Sequence, residues 1–424
     1  MVLKKTHTLF VKGKCAQMIE KRNTIRMEQA REVLRNQITH LPVEKKNVTE
    51  ALNQVLQEPI FAPFPAPYFR RSGYDGFAIT EADDGNYPIT LQVVAEVPCG
   101  QTYDKPLNPG ETVRIMTGAK VPENASKIIM LEQSREADNE NEITLINTQK
   151  SSNITEIGAE FSKGDLLLDR GHMLNAGSIS LLLSFGIHEV QVIRKPKVAI
   201  LSTGSELVTA GNSLPDGKIY NSNQPLLENL LKVHHTEICA AEQLPDNYED
   251  TKKRLLELTQ IADLIITTGG VSVGDFDYMA EIAKQEAELL FNKIQMRPGS
   301  PTTGMWLDKT LIIALSGNPG ACFTGFYLLV EPVLATLMGK DTTETTQVRA
   351  KMASDYTKNN GYDRFLRGTY RLSDEGEYLV ELVGSDMSSA LGNLHLTTCL
   401  FKIPRGQVGK LKGEEVEAWL LSSK

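Results

Sequence analysis

Three short apolar runs, each ending in a glycine turn, leave this chain few folds to choose from. Lys197 to Leu201 leads into Ser202-Thr-Gly-Ser-Glu-Leu207, Leu264 to Ile266 into Thr267-Thr-Gly-Gly-Val-Ser-Val-Gly274, and Thr310 to Leu315 into Ser316-Gly-Asn-Pro-Gly-Ala321. Apolar runs of this length, bounded by glycine, read as buried strands. Helix-like stretches at 224–233, 248–260 and 278–288 separate them. Strand and helix therefore alternate, which predicts a parallel sheet with covering helices. The carboxyl ends of such strands share one rim, where ligands bind, so three glycine turns there predict a pocket.

The turn at 267–274 can open a helix from Asp275. Glycine lets the backbone come close to a bound group, and free N–H groups at a helix start favour negative charge by ~0.3–1 kcal/mol. Taken alone, the turn leaves two readings open: a cradle for phosphate or another oxyanion, and a tight strand-to-helix connection without a ligand. It is neither the Walker loop nor the dinucleotide fingerprint, because its glycines are Gly269, Gly270 and Gly274.

With 424 residues the chain is long enough for about three domains. A net charge of −8 argues against nucleic acid, which needs a basic face. An anionic small molecule must then meet local cations working against the overall field. Arg70, Arg71, Arg114, Lys293, Arg297, Arg364 and Arg367 lie beside glycine or turn signals, although each alone also reads as a solvated charge. The five cysteines are scattered and lack a C-x-x-C spacing, so they read as packing residues rather than a disulfide or zinc framework. His234 and His235 read as exposed at a helix end. No apolar run is expected to reach the ~18 residues of a membrane span, and Met1–Val11 lacks a signal-peptide core, which places the chain in the cytoplasm, away from membranes.

Along the chain, 1–17 read as an extension ahead of a natural start at Met18, from which a helical pattern begins with Thr24 as N-cap. A second helix is predicted over 48–56. Pro59-Ile-Phe-Ala-Pro-Phe-Pro-Ala-Pro67 predicts an extended linker. Turn clusters and short β-rich runs make 68–152 a β-rich insertion, in which Val113 to Ala119 ends a strand in a Thr-Gly turn. Residues 18–67 and 153–195 form a discontinuous N-terminal domain, with a short helix at 178–185. The α/β domain fills 196–340, closed by an apolar helix from Ala321 to Leu337, and 345–424 are β-rich.

Five motifs in order give this chain a family resemblance: Ser72-Gly-Tyr-Asp-Gly-Phe-Ala78, Arg114-Ile-Met-Thr-Gly-Ala119, Ser202-Thr-Gly-Ser-Glu-Leu207, Thr268-Gly-Gly-Val-Ser-Val-Gly-Asp275 and Ser316-Gly-Asn-Pro319. From Met18 onward it resembles the MoeA and gephyrin E-domain group, the molybdopterin molybdenumtransferases. The resemblance implies a multidomain α/β fold: a central parallel-sheet, molybdopterin-binding α/β domain, a discontinuous N-terminal domain, a β-rich insertion and a C-terminal β-barrel. It implies a homodimer that inserts molybdate into adenylylated molybdopterin with Mg2+-dependent release of AMP. It also leaves room for contacts with other proteins of molybdenum-cofactor biosynthesis.

Carried over by position, the resemblance implies catalytic roles for Asp75, Thr117, Glu206, Asp246 and Asp277, the last three as metal ligands with Asp275 alongside. Carboxylate oxygens are the hard ligands magnesium prefers. Read without the family, Glu206 is an N-cap or surface carboxylate, Asp246 an Asx-turn residue and Asp277 a first-turn helix charge. The implied substrate-binding residues are Thr203, Gly204, Gly269, Gly270, Ser272, Gly274, Lys293, Arg297, Pro298, Ser316, Gly317, Pro319 and Arg367. The family often has lysine at 297, proline at 316 and aspartate at 160, where this chain has Arg297, Ser316 and Glu160. Two other functions fit parts of the pattern: the adenylyltransferase of the preceding step, on the same α/β domain, and a non-enzymatic scaffold of the gephyrin type.

Overall fold

The computed structural model describes residues 24–245, 247–270, 278–340, 343, 345–406 and 408–421. The expected extension 1–17 and the start at Met18 lie outside the described residues, as do Asp246, Ser272, Gly274, Asp275 and Asp277. The chain divides into two compact units: Met1–Lys46 with Asn53–Gln57 and Gln191–Lys424, and Asn47–Leu52 with Glu58–Val190.

The first unit is built on a six-stranded sheet of β1 (Lys197–Thr203), β2 (Glu237–Leu244), β3 (Leu264–Thr268), β4 (Glu288–Phe291), β5 (Thr303–Leu307) and β6 (Thr310–Leu315). Their order is β2-β1-β3-β6-β5-β4. The first four in that order are parallel, as the alternation predicts. The last two run antiparallel. Only Asp308 and Lys309 join β5 to β6, and so short a connection can close a hairpin but not a crossover. Strand β4 also shortens the predicted helix 278–288, which ends at Gln285.

Alternation along β1 places helices on both faces. Val198 and Ile200 pack with Leu227, Leu230 and Leu231 of the helix Asn223–Val233. Ala199 and Leu201 pack with Leu255 and Leu258 of Tyr248–Leu258 and with Met279 and Ile282 of Tyr278–Gln285. His234 follows the first of these helices and is buried, against the expectation of exposure, because its ring packs on Phe326 and Tyr327.

The apolar helix predicted from Ala321 runs over Pro319–Leu337, with a π turn at Phe326–Val330. By length and composition it could cross a membrane, contrary to the expectation that no apolar run would be long enough. It is instead a core helix, with 94% of its apolar window buried. Against it packs the helix Met27–Asn36 through Met27, Ala30 and Leu34. The helical pattern predicted from Met18 with Thr24 as cap therefore starts later among the described residues. Thr24 and Ile25 pair with Lys293 and Ile294 as a short parallel ladder, a tertiary contact that overrides local propensity.

The C-terminal strands β7 (Thr346–Met352), β8 (Asp363–Leu372), β9 (Tyr378–Leu382), β10 (Cys399–Ile403) and β11 (Glu415–Leu420) close into a barrel in the order β8-β9-β7-β11-β10 and back to β8. Leu366, Phe401 and Ala418 fill it, while their neighbours Phe365, Leu400 and Trp419 join the core around the long helix. Beside the barrel, the nearly buried carboxylate of Asp386 accepts from Tyr356 Oη at 2.6 Å, Lys358 Nζ at 2.7 Å and Arg364 at 2.7 Å. Burial pushes its pKa up, but these donors hold the carboxyl below its ordinary range. Arg364→Ala is expected to lower stability by roughly 2–3 kcal/mol in urea unfolding, since it strips one charge from a buried cluster and leaves the other partners in place.

In the second unit, Lys127–Met130, Gly76–Ile79, Glu111–Ile115, Ile89–Val97, Glu142–Leu145 and Ser134–Glu136 form one sheet in that order, as the turn-rich insertion predicts. The helix expected at 178–185 spans Ala176–Ser184 and is capped by Asn175, whose Oδ1 accepts from Ser178 N. The helix predicted over 48–56 shrinks to one 3-10 turn at Val48–Glu50. Asn53 breaks it, with φ at +64°. The proline run is extended at Ile60–Phe61 but bends at Pro63–Phe64 and does not hang free: Ile60 and Phe61 pair with Leu168 and Leu166, and Ala66 N donates to Phe161 O.

Candidate functional site

In the first unit the predicted rim forms where β1, β3 and β6 end. Pairing of Ser202 with Thr268, and of Thr268 with Leu315, brings the three turns side by side. Gly269 has φ of +90°, and a Cβ placed on it would stand 2.1 Å from the Thr203 carbonyl oxygen. A Cβ on Gly317 would stand 3.5 Å from Gly269 Cα. At Gly269 only glycine permits such an approach, while at Gly317 a side chain would meet the neighbouring turn at ordinary contact distance.

Thr203 Oγ1 and Asn223 Oδ1 are buried at this rim without a partner among the described residues, as is Thr267 Oγ1 near the end of β3. Thr203 Oγ1 lies against the Gly269–Gly270 turn, 3.1 Å from where a Cβ of Gly270 would be. The other end of the Asn223 amide donates from Nδ2 to Gly317 O at 2.8 Å. Unpaired buried polar atoms are rare in folded proteins and call for a partner. Here they give the rim one hydroxyl and one acceptor for a ligand. Asn223 escaped the sequence reading because it lies in an ordinary helix start, Asn221-Ser-Asn, far along the chain from the turn it holds.

Glu206 is exposed, and its carboxylate oxygens lie 2.8 and 2.9 Å from the place a Cβ would take on Gly204. Ser316 is buried and its Oγ accepts from Asn318 N, just ahead of Pro319 in the first turn of the long helix. Among the described residues no three His, Cys, Asp or Glu side chains gather as a metal site. Glu206 is the one described member of the expected metal set.

The cations predicted for anion binding have different surroundings. Arg297 is exposed, in a short strand that pairs with β8, and is followed by buried Pro298. Lys293 Nζ stands 5.9 Å from the Tyr362 ring centre, within cation–π range. Arg364 is engaged by Asp386. Arg367 lies inside rather than on the rim: it is 1% exposed and donates to Asn393 Oδ1 and to the carbonyls of Gly320, Ser385 and Met387. Burial pulls its guanidinium below the usual arginine range.

In the second unit Asp75 and Thr117 meet directly. Asp75 Oδ1 accepts from Thr117 N at 2.6 Å and from Thr117 Oγ1 at 2.7 Å. The hydroxyl, then the amide, and more weakly the charge of Arg114 hold the exposed Asp75 carboxyl below its ordinary range. Thr117→Val removes the first of these donors, so the Asp75 pKa is expected to rise towards an ordinary aspartate, as read by carboxyl NMR titration. Arg70 ties loops together, through Glu156 and the carbonyls of Glu123 and Ala125, and Arg71 is exposed. Glu160 is exposed as well; its backbone N–H donates to Ala66 O. The buried Cys322 and Cys399 are pushed up to about 12 by burial, in keeping with packing roles.

Three family models match in succession: the MoeA N-terminal region (domain I and II) over 25–186, the probable molybdopterin binding domain over 199–336 and the MoeA C-terminal region (domain IV) over 349–421. A molybdopterin molybdenumtransferase of Staphylococcus aureus (strain MSSA476) is 37% identical over 412 residues, covering 96% of this chain and 98% of that protein. One of Staphylococcus epidermidis is 35% identical over 414 residues, covering 96% and 97%. Among solved structures, the molybdopterin biosynthesis MoeA protein of Pyrococcus horikosii matches with a TM-score of 0.77 at 27% identity, over 95% of this chain and 100% of that one. With glycine turns assembled on an α/β rim, a closed C-terminal barrel and relatives aligned nearly end to end, the chain belongs to the MoeA family of molybdopterin molybdenumtransferases.

Proposed function

We propose that this chain acts in molybdenum cofactor biosynthesis as a molybdopterin molybdenumtransferase, taking molybdate and adenylylated molybdopterin and releasing AMP as molybdenum enters the dithiolene. The observation that carries this reading is the rim, where three glycine turns meet beside the Thr203 hydroxyl and Asn223 amide oxygen, both without a partner among the described residues. A ligand with phosphate oxygens and N–H or O–H donors satisfies both atoms. Thr203 donates to a phosphate oxygen, Asn223 accepts from an amino or hydroxyl group, and Ser316 lines the third turn. Lys293 and Arg297 supply positive charge for molybdate, and Arg297 can do so bidentately. Asp75, held ionised by Thr117, presents an acceptor of fixed direction in the second unit.

The donor chemistry fits a magnesium ion. Glu206 offers exposed carboxylate oxygens at the rim and would hold the ion together with Asp246 and Asp277, which lie outside the described residues. Such an ion, when bound, neutralises the phosphoanhydride and polarises its phosphorus. The protein works in this reading as a cytoplasmic homodimer.

Incubation of the purified chain with adenylylated molybdopterin, molybdate and magnesium tests the reading, with AMP and active cofactor assayed together. Molybdate-dependent formation of both supports it; neither product above background removes it. Pyrophosphate released from ATP and molybdopterin would favour the adenylyltransferase instead. Light scattering in solution reads the dimer.

A further inference from the structure

The helix Met27–Asn36 turns Met27, Ala30 and Leu34 into the core, which leaves Arg31 and Arg35 one helical turn apart on an adjoining flank. Both open on a cavity of about 450 Å³ whose walls include Pro332, Thr336, Lys340 and Gln347. Neither guanidinium makes a hydrogen bond or ion pair with a described residue, although Arg31 is half-buried. Burial pulls the Arg31 pKa down; Glu331 pulls it back up, and Arg35 pushes it down again. Glu331, the buried carboxylate near them, is already engaged by the N–H of Thr345 at 2.6 Å and by its hydroxyl. The hydroxyls of Thr336 and Thr343 donate to the carbonyls of Pro332 and Thr345. Among the described residues, Arg31, Arg35 and Lys340 face the cavity, and the two carboxylates that act on Arg31 are already engaged, Glu331 by Thr345 and Glu28 by Lys402. Like charges one turn apart on a helix repel, and an anion seated between the two guanidiniums relieves that repulsion.

We propose that this cavity is an anion site, separate from the glycine rim, that takes a tetrahedral phosphate-class dianion gripped by Arg31 and Arg35, either free or as the phosphoryl group of a small metabolite. Guanidinium forks match phosphate oxygens in pairs. Asp341 and Glu344 of the adjoining linker lie outside the described residues.

Inorganic phosphate is titrated into the full chain by calorimetry at constant ionic strength, with chloride as the control, and glycerol phosphate is titrated in parallel. The expected result is saturable phosphate binding that weakens at least about tenfold in Arg31→Gln and in Arg35→Gln and persists in Arg297→Gln. Tighter binding of glycerol phosphate assigns the site to a phosphorylated metabolite; equal or weaker binding assigns it to free phosphate. No saturable binding to the wild type, binding unchanged in both variants, or binding lost only in Arg297→Gln would overturn the proposal. Should Arg31→Gln fail to fold, Arg35→Gln alone carries the test, because its side chain is exposed.

Discussion

Glu206→Gln is expected to reduce molybdate-dependent AMP release by about a hundredfold or more while leaving the unfolding midpoint unchanged. The substitution keeps size and shape and removes only the charge. Glu206 is exposed, so the fold should lose no more than about 0.5 kcal/mol. The site loses much more if this carboxylate is one of the hard oxygens that hold a divalent ion at the phosphoanhydride, since metal stabilisation of a phosphoryl transition state amounts to several kcal/mol. Single-turnover AMP release gives the rate, and a magnesium titration separates weakened metal binding from lost chemistry. Recovery at high magnesium places the defect in binding. A wild-type rate at every magnesium concentration would remove Glu206 from the mechanism and return it to a surface carboxylate.

Gly269→Ala is expected to damage stability and activity together. A methyl group there meets the Thr203 carbonyl oxygen at 2.1 Å, and the φ of +90° is one that alanine resists. Backbone strain of about 1–3 kcal/mol adds to an overpacking cost of similar size, so a loss of about 3 kcal/mol or more is expected in urea unfolding. Relief requires β1 and β3 to separate at their carboxyl ends, which displaces the Thr203 hydroxyl from the turn. Gly361→Ala is the control: nothing lies within 4 Å of its added methyl, and its φ is not positive, so it should be close to neutral. Equal stability of the two variants would show that the turns do not touch as described.

The contrast between these glycines marks what a sequence can carry. Thr-Thr-Gly-Gly after an apolar run announces a strand ending in a turn, because both signals are local. The antiparallel pair closed by Asp308-Lys309 goes beyond the alternation of strand and helix, which predicts a parallel sheet. Thr24-Ile25 misleads, because its pairing with Lys293-Ile294 depends on a partner more than 260 residues away. Arg367 misleads in another way: beside Gly368 it looks like a rim cation, yet it is buried against Gly320 and the 385–387 loop. A Cβ on Gly320 would stand 2.7 Å from that guanidinium, a reason for glycine that no local pattern displays. His234 reads as polar in its own segment and becomes core only when Phe326 and Tyr327 arrive.

By itself the sequence determined the alternation of strand and helix, the placing of glycine turns at three strand ends, the β-rich insertion and tail, and the motif order that carries the family resemblance. All of these depend on spacing along the chain, where the physics is that of short apolar runs and backbone freedom. Only the tertiary structure decided which polar groups lack a side-chain partner among the described residues, such as the hydroxyl of Thr203, the amide oxygen of Asn223 and the arginines Arg31 and Arg35, set against Arg364 and Arg367, which find partners inside. Whether a polar side chain is free for a ligand depends on what the rest of the fold brings within about 3 Å of it, and in this chain those neighbours come from distant segments.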